Sequence, residues 1–108
     1  MSYSVETILP FDKQAKRLAK VYPSLKNDIL ELAHELLENP TLGTPLGNNC
    51  YKIRMAITSK GKGKRAGARV ITHIHISNEI IYFLAMYDKS RQTTISDDEI
   101  LDLLSYIE

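Results

Sequence analysis

The chain has 108 residues, 44% of them hydrophobic and 25% charged, with a formal net charge of +1. That is the make-up of one globular domain over residues 1–108, with no room for a second core. No stretch approaches the roughly 18 apolar residues that span a bilayer, so no membrane partner is expected. The opening Met-Ser-Tyr-Ser-Val-Glu has neither a basic n-region nor an apolar h-region, and export is not expected. The single cysteine, Cys50, excludes an internal disulfide and reads as a buried, inert thiol in a reducing cytoplasm.

Ser4 to Leu9 reads as a short strand stopped by Pro10. Asp12 is placed to cap a helix whose apolar positions Ala15, Leu18, Ala19 and Tyr22 follow helical spacing, and Pro23 ends it. Ser24 then caps a second helix with Leu25, Ile29, Leu32, Ala33, Leu36 and Leu37 on one stripe, closed by Asn39-Pro40. So short a link predicts an antiparallel helical hairpin. Thr41 to Asn49 is turn chemistry.

From Cys50 to Ile57 the residues alternate: Tyr51, Ile53, Met55 and Ile57 point one way, Cys50, Lys52, Arg54 and Ala56 the other. Ser59 to Gly67 is a Gly/Lys loop. Ala68 to Ile76 resumes strand character, with Arg69, Ile71, His73 and His75 on one face. Asn78 marks a tight turn, and Ile80 to Tyr87 is apolar on both faces, as in a strand covered from two sides. Ser96-Asp97-Asp98-Glu99 is a capping box, with Ile95 and Ile100 able to staple it, and Ile100, Leu103, Leu104 and Ile107 make a helical stripe. The predicted order is β-α-α-β-β-β-α. The fold class is α+β: a small antiparallel sheet, an N-terminal helical hairpin on one face and a short C-terminal helix.

Charge is segregated along the chain. Asn39 through Asn78 holds no acidic residue and seven basic ones, whereas residues 79–108 hold two basic and seven acidic. Such a block reads as a polyanion-binding patch. Lys52 and Arg54 are two apart on one strand and share a face. Arg69 can reach that face from the next strand, and Tyr87, Lys89 and Arg91 arrive from a strand end. The expectation is that Lys52, Arg54, Arg69, Lys89 and Arg91 gather on one concave surface with no carboxylate to cancel them. RNA brings its own nucleophile, the 2′-hydroxyl, so cutting it calls for positioning, proton transfer and charge stabilisation. Crowded cations supply the stabilisation and lower one another's proton affinity, which suits a lysine for taking a proton. Lys60, Lys62, Lys64 and Arg65 read as a mobile loop that docks on RNA phosphates. His73 and His75 share a face but lack a third ligand nearby, so no metal site is expected, and His73 is kept as an RNA contact with Tyr87.

Cys50-Tyr51-Lys52-Ile53-Arg54, Gly67-Ala68-Arg69-Val70-Ile71 and Ile81 through Ser90, in this order and spacing, resemble the core of RelE/ParE-superfamily toxins. The resemblance implies a RelE-like messenger-RNA endonuclease that acts on the ribosome, without metal or small-molecule cofactor, and is held silent by a cognate antitoxin. It implies that Lys52 and Arg54 help to activate the 2′-hydroxyl and stabilise charge, that Arg69 grips the scissile phosphate, and that Lys89 or Arg91 assists the leaving oxygen. A ParE-like inhibitor of DNA gyrase and a non-catalytic nucleic-acid-binding regulator are the alternatives, and fold alone does not separate them.

Overall fold

The structure, a computed structural model, describes residues 2–92 and 94–107. Its strands are β1 (Ser4–Thr7), β2 (Thr44–Gly47), β3 (Cys50–Met55), β4 (Ala68–His75) and β5 (Ile80–Asp88), and its helices α1 (Leu9–Ala19), α2 (Leu25–Glu38) and α3 (Asp97–Leu104). The strands form one sheet in the order β1-β5-β4-β3-β2. The expected antiparallel meander is its centre, joining β3, β4 and β5. Two edge strands extend it. β2 pairs antiparallel with β3, and β1 runs parallel to β5 with Ser4 opposite Ile80, so the sheet is mixed. No described helix is long and apolar enough to cross a membrane.

Several local expectations are corrected. β1 stops at Thr7, and α1 starts at Leu9 with Pro10 in its first turn. There a missing N–H costs nothing, because the first N–H groups of a helix have no partner within it. Pro10 therefore opens a helix instead of ending a strand, and Asp12 lies in the first turn, its N–H donating to the Ile8 carbonyl at 3.1 Å. Ser24 does precede α2, yet its backbone is helical and its hydroxyl makes no cap. It donates to the Asp28 carboxylate at 2.8 Å instead. The segment read only as a turn contains β2, because Asn48 and Asn49 both take left-handed backbones (φ 54° and 58°) and make a two-residue hairpin connection. Ala19 and Leu37 fall on the exposed side of their helices.

Between Ile71 and Thr72 the β4–β5 register slips: Ile71 faces Ala85 while Thr72 faces Phe83, leaving Leu84 as the extra residue of a bulge. Phe83 joins the main core, its ring centroid 5.0 Å from that of Phe11 on α1. On the opposite face Ala85 and Tyr87 line a cavity with Glu99 and Leu103 of α3, so β5 is covered from both sides, as its composition suggested. The capping box of α3 is formed as expected: Ser96 Oγ accepts from the Glu99 N–H at 3.1 Å, and Glu99 Oε1 accepts from the Ser96 N–H at 2.9 Å. Beyond β1 the edge of β5 is open, and the Gln14 side chain of α1 fills it by accepting the Met86 N–H at 2.9 Å.

Phe83 is 2% exposed and Leu101 55%. Phe83→Ala is expected to lower the unfolding free energy by about 3–5 kcal/mol, and Leu101→Ala by less than about 0.5 kcal/mol, both read from urea denaturation midpoints.

Candidate nucleic-acid interface

Strand register settles the first question about the cations. Arg54 lies directly opposite Arg69 across β3 and β4, and Arg69 directly opposite Tyr87 across β4 and β5. Directly opposed residues share a face, so Lys52, Arg54, Arg69 and Tyr87 project from the same side of the sheet. Their surroundings differ sharply. Arg54 is exposed and Lys52 half-buried. Arg69 is only 4% exposed. Its guanidinium donates to the carbonyls of Lys64 at 3.2 Å, Arg65 at 3.1 Å and Ala68 at 3.2 Å. Burial, and then the facing Arg54, lowers its pKa from the ordinary guanidinium value. It thus braces the loop from beneath as well as contributing charge. Tyr87 is also buried, at 6% exposure, which removes the open ring face that stacking on a base needs. Its hydroxyl has no hydrogen-bond partner among the described residues, and burial pushes its pKa up.

The loop between β3 and β4, expected to be mobile, is tied down at several points. Two short turns of 3-10 helix, Thr58–Lys60 and Lys64–Ala66, give it local structure. At its start the Asp28 carboxylate of α2 accepts from the Thr58 N–H at 2.9 Å and the Thr58 hydroxyl at 2.6 Å. In its middle the Lys60 ammonium pairs with Asp88 at 2.9 Å and donates to the Ala66 carbonyl at 2.8 Å. At its end Arg69 holds the last turn. Gly67 then passes so close to β3 that a β-carbon there would run into the Met55 carbonyl oxygen.

Asp88 is 3% exposed and also accepts from the Tyr22 hydroxyl at 2.7 Å and from the Ser90 N–H and hydroxyl at 3.0 and 2.8 Å. Burial by itself would raise this carboxyl's pKa. The hydrogen bonds from Lys60, Tyr22 and Ser90 outweigh burial and hold it well below the usual carboxylate range. The Tyr22 phenol is raised in turn, chiefly because it donates to Asp88.

The loop folds back over Arg69 and divides the remaining cations, so the five proposed catalytic residues do not meet in one cleft. Lys52, Arg54 and Lys64 line a cleft at the β3 edge together with Glu35 of α2. Lys60, Lys62, Arg65 and Lys89 line a second with Ser90. Arg91 lines a third, beside Arg17 and Tyr22. Lys60, expected free to meet RNA, is engaged with Asp88. Nor is the surface free of carboxylates: Glu31 and Glu35 stand across from Arg54 and Lys64. A long run without acids in the sequence says nothing about what a neighbouring helix brings alongside.

His73 is on the same face but at the far end of β4, four residues from Arg69, or about 13 Å along a strand. Its Nδ1 is 3.0 Å from the Asn48 carbonyl and 3.6 Å from Cys50 Sγ, and burial lowers its pKa below 6.5. It does not join the cations, and neither does His75 beyond it, with ring centroids 6.4 Å apart. Among the described residues no three His, Cys, Asp or Glu side chains are grouped to hold a metal ion. Cys50 is 1% exposed, and burial pushes its thiol up to about 11, so it stays protonated near neutrality.

Sequence reading missed Asp28 and Asp88. Asp28 had a signal: it stands three residues after Leu25 and four before Leu32, on the apolar stripe of its helix, where an unpartnered carboxylate would be costly. Asp88 ends an apolar strand, which marks it as unusual but does not name Lys60 as its partner.

Residues 11–106 match the family model described as the RelE toxin of the RelE/RelB toxin-antitoxin system. The chain belongs to the RelE toxin family. By that membership it is a toxin of the toxin-antitoxin kind. Among solved structures it is similar to the free state of a double arginine-to-alanine mutant of the E. coli toxin RelE, with a TM-score of 0.66 and 14% sequence identity over 100% of both chains. At that identity the likeness is one of fold. In this RelE-family chain, then, the sheet and helices follow the relative, while the clefts and the Asp88 network are read from its own side chains.

Asp88 has a folded pKa below its ordinary 3.8, so it stabilises the fold above that value and the contribution is lost as pH falls below it. The stability difference between wild type and Asp88→Asn is expected to be largest above about pH 5 and to shrink as the pH drops toward about 2. Denaturant midpoints across that range measure it, and a constant difference would show that the carboxylate is not held as described.

Proposed function

We propose that this chain is a messenger-RNA interferase that cuts RNA through the substrate's own 2′-hydroxyl on the ribosome, in the cytoplasm, and is silenced by a cognate antitoxin. The observation that carries the reading is the register placing Arg54 opposite Arg69, with Lys52 on the same face, where three cations from two strands stand at one end of the sheet. Membership of a toxin family supports it.

In this reading Lys52 and Arg54, the accessible pair, contact the scissile phosphodiester. The neutral amine form of a lysine takes the proton of the 2′-hydroxyl, the 2′-oxygen bonds to phosphorus as the bond to the 5′-oxygen breaks, and water protonates the departing 5′-oxygen, leaving a 2′,3′-cyclic phosphate. The arginine fork donates to the phosphoryl oxygens as charge grows on them. Arg69 holds the loop and adds its charge from below. The scheme calls on no metal, because the nucleophile belongs to the substrate and the charge stabilisation to side chains. Lys89 and Arg91 line other clefts, so neither is given the leaving-group role. The antitoxin would cover the basic clefts with acidic or helical segments, a common way for a disordered partner to mask a charged face.

A translation extract programmed with one messenger RNA tests this. Wild-type protein is expected to cut ribosome-bound message. Lys52→Ala and Arg54→Ala are each expected to slow cutting by about 100-fold or more, the cost of losing one preorganised charge-stabilising donor, with unchanged urea midpoints. Intact message in the presence of trapped gyrase complexes would instead establish a gyrase inhibitor.

A further inference from the structure

The second cleft has a construction of its own. Lys60, Lys62 and Arg65 come from the loop between β3 and β4, and Lys89 and Ser90 from the chain just after β5. It shares no lining residue with the clefts at the β3 edge, since Lys64 lines those and Arg65 this one. Its volume of about 410 Å³ is enough for a phosphate with its sugar. The two walls are joined by one group. Asp88 Oδ1 accepts from Lys60 Nζ on the loop side and from the N–H and hydroxyl of Ser90 on the other. The Lys89 N–H donates to the Gly67 carbonyl at 3.1 Å and ties the walls again. Asp88 is buried and its acceptor capacity is taken up, so its negative charge is spent on the walls, while Lys62 and Arg65 are exposed and Lys89 is half-exposed.

We propose that this cleft is a second phosphate-binding site, separate from the Lys52–Arg54 centre, which grips the RNA backbone a short distance from the cut, and that Asp88 is its positioning residue. The inference rests on the RNA-cutting reading. RNA lying across the loop would meet Lys64 on one side and Arg65 on the other, so that the loop straddles the strand's phosphates. Asp88 acts only through Lys60 and Ser90, fixing the spacing of the walls. A purely electrostatic view of the surface makes the opposite forecast, because deleting a carboxylate there should favour a polyanion.

The test is a titration of a fluorescently labelled, uncleavable 2′-O-methyl single-stranded RNA into the full-length protein, followed by anisotropy at several salt concentrations. Lys62→Ala/Arg65→Ala is expected to weaken binding by about 10-fold and to flatten the salt dependence by about 0.7 for each phosphate no longer neutralised. Lys89→Ala is expected to flatten it by about 0.7 by itself. Asp88→Asn, despite its added positive charge, is expected to weaken binding by at least about 3-fold at unchanged Lys62 and Arg65. Lys52→Ala/Arg54→Ala is expected to retain the part of the salt dependence that Lys62→Ala/Arg65→Ala removes.

Unchanged affinity and slope in both the Lys62/Arg65 and the Lys89 variants overturns the second site and leaves the cutting centre standing. Tighter binding by Asp88→Asn overturns the positioning role, and if that variant does not fold, the Lys62/Arg65 and Lys89 variants still decide the site. RNA displaced by millimolar inorganic phosphate at constant ionic strength assigns the cleft to free phosphate and overturns the RNA assignment. No binding of this RNA by wild type overturns the second site, while the proposed function stands or falls on cutting in the translation extract.

Discussion

The Asp88 carboxylate sits at the end of the longest strand with an ammonium, a phenol, a hydroxyl and a main-chain N–H all donating to it. Taking a charge out of water is costly unless partners replace the lost solvation. Here the replacements come from three places in the chain: the link between the first two helices, the basic loop and the segment after the strand. One buried charge therefore joins the side chains of three segments, two of which also meet through the Lys89–Gly67 backbone bond. The same carboxylate neutralises one lysine of a block that would otherwise repel itself, which is how so many cations can be held on a short, folded loop.

Arg54 and Arg69 pose the complementary problem. Like charges directly opposed on paired strands are unfavourable, and no described carboxylate forms an ion pair with either. The fold relieves the conflict by separating their heads. Arg54 stays at the solvent edge, while Arg69 turns under the loop and spends its donors on three carbonyls. Carbonyl oxygens carry partial negative charge, so the guanidinium is solvated by the backbone without being cancelled by a carboxylate. A positive field is kept at the site although the group that produces it is out of water.

How much of this the sequence disclosed follows from the range of each interaction. The capping box at Ser96 and Glu99, the alternation from Cys50 to Met55 and the two-sided apolar strand from Ile80 are local, and all appear in the structure. Opposition of Arg54 and Arg69 could be expected because one loop joins two strands. Pro10 misled because its ring suits the first turn of a helix as well as the end of a strand, and β2 was hidden in a Gly/Pro/Asn stretch whose turn needs only Asn48 and Asn49. The division of the cations among clefts depends on where the loop folds. That is decided by Asp28 and Asp88, which lie 30 and 28 residues from Thr58 and Lys60, a separation no spacing rule reaches.

β1 has its own lesson in timing. Its hydrogen-bonding partner is the stretch opposite Ser4 to Thr7, namely Ile80 to Phe83, so the first strand made has nothing to pair with until three quarters of the chain has been synthesised. Closing so large a loop is entropically slow. Because Asp88 follows five residues later still, the walls it joins cannot be set in a truncated or half-made chain. A chain that stops short of Asp88 leaves the basic loop without the carboxylate that holds Lys60.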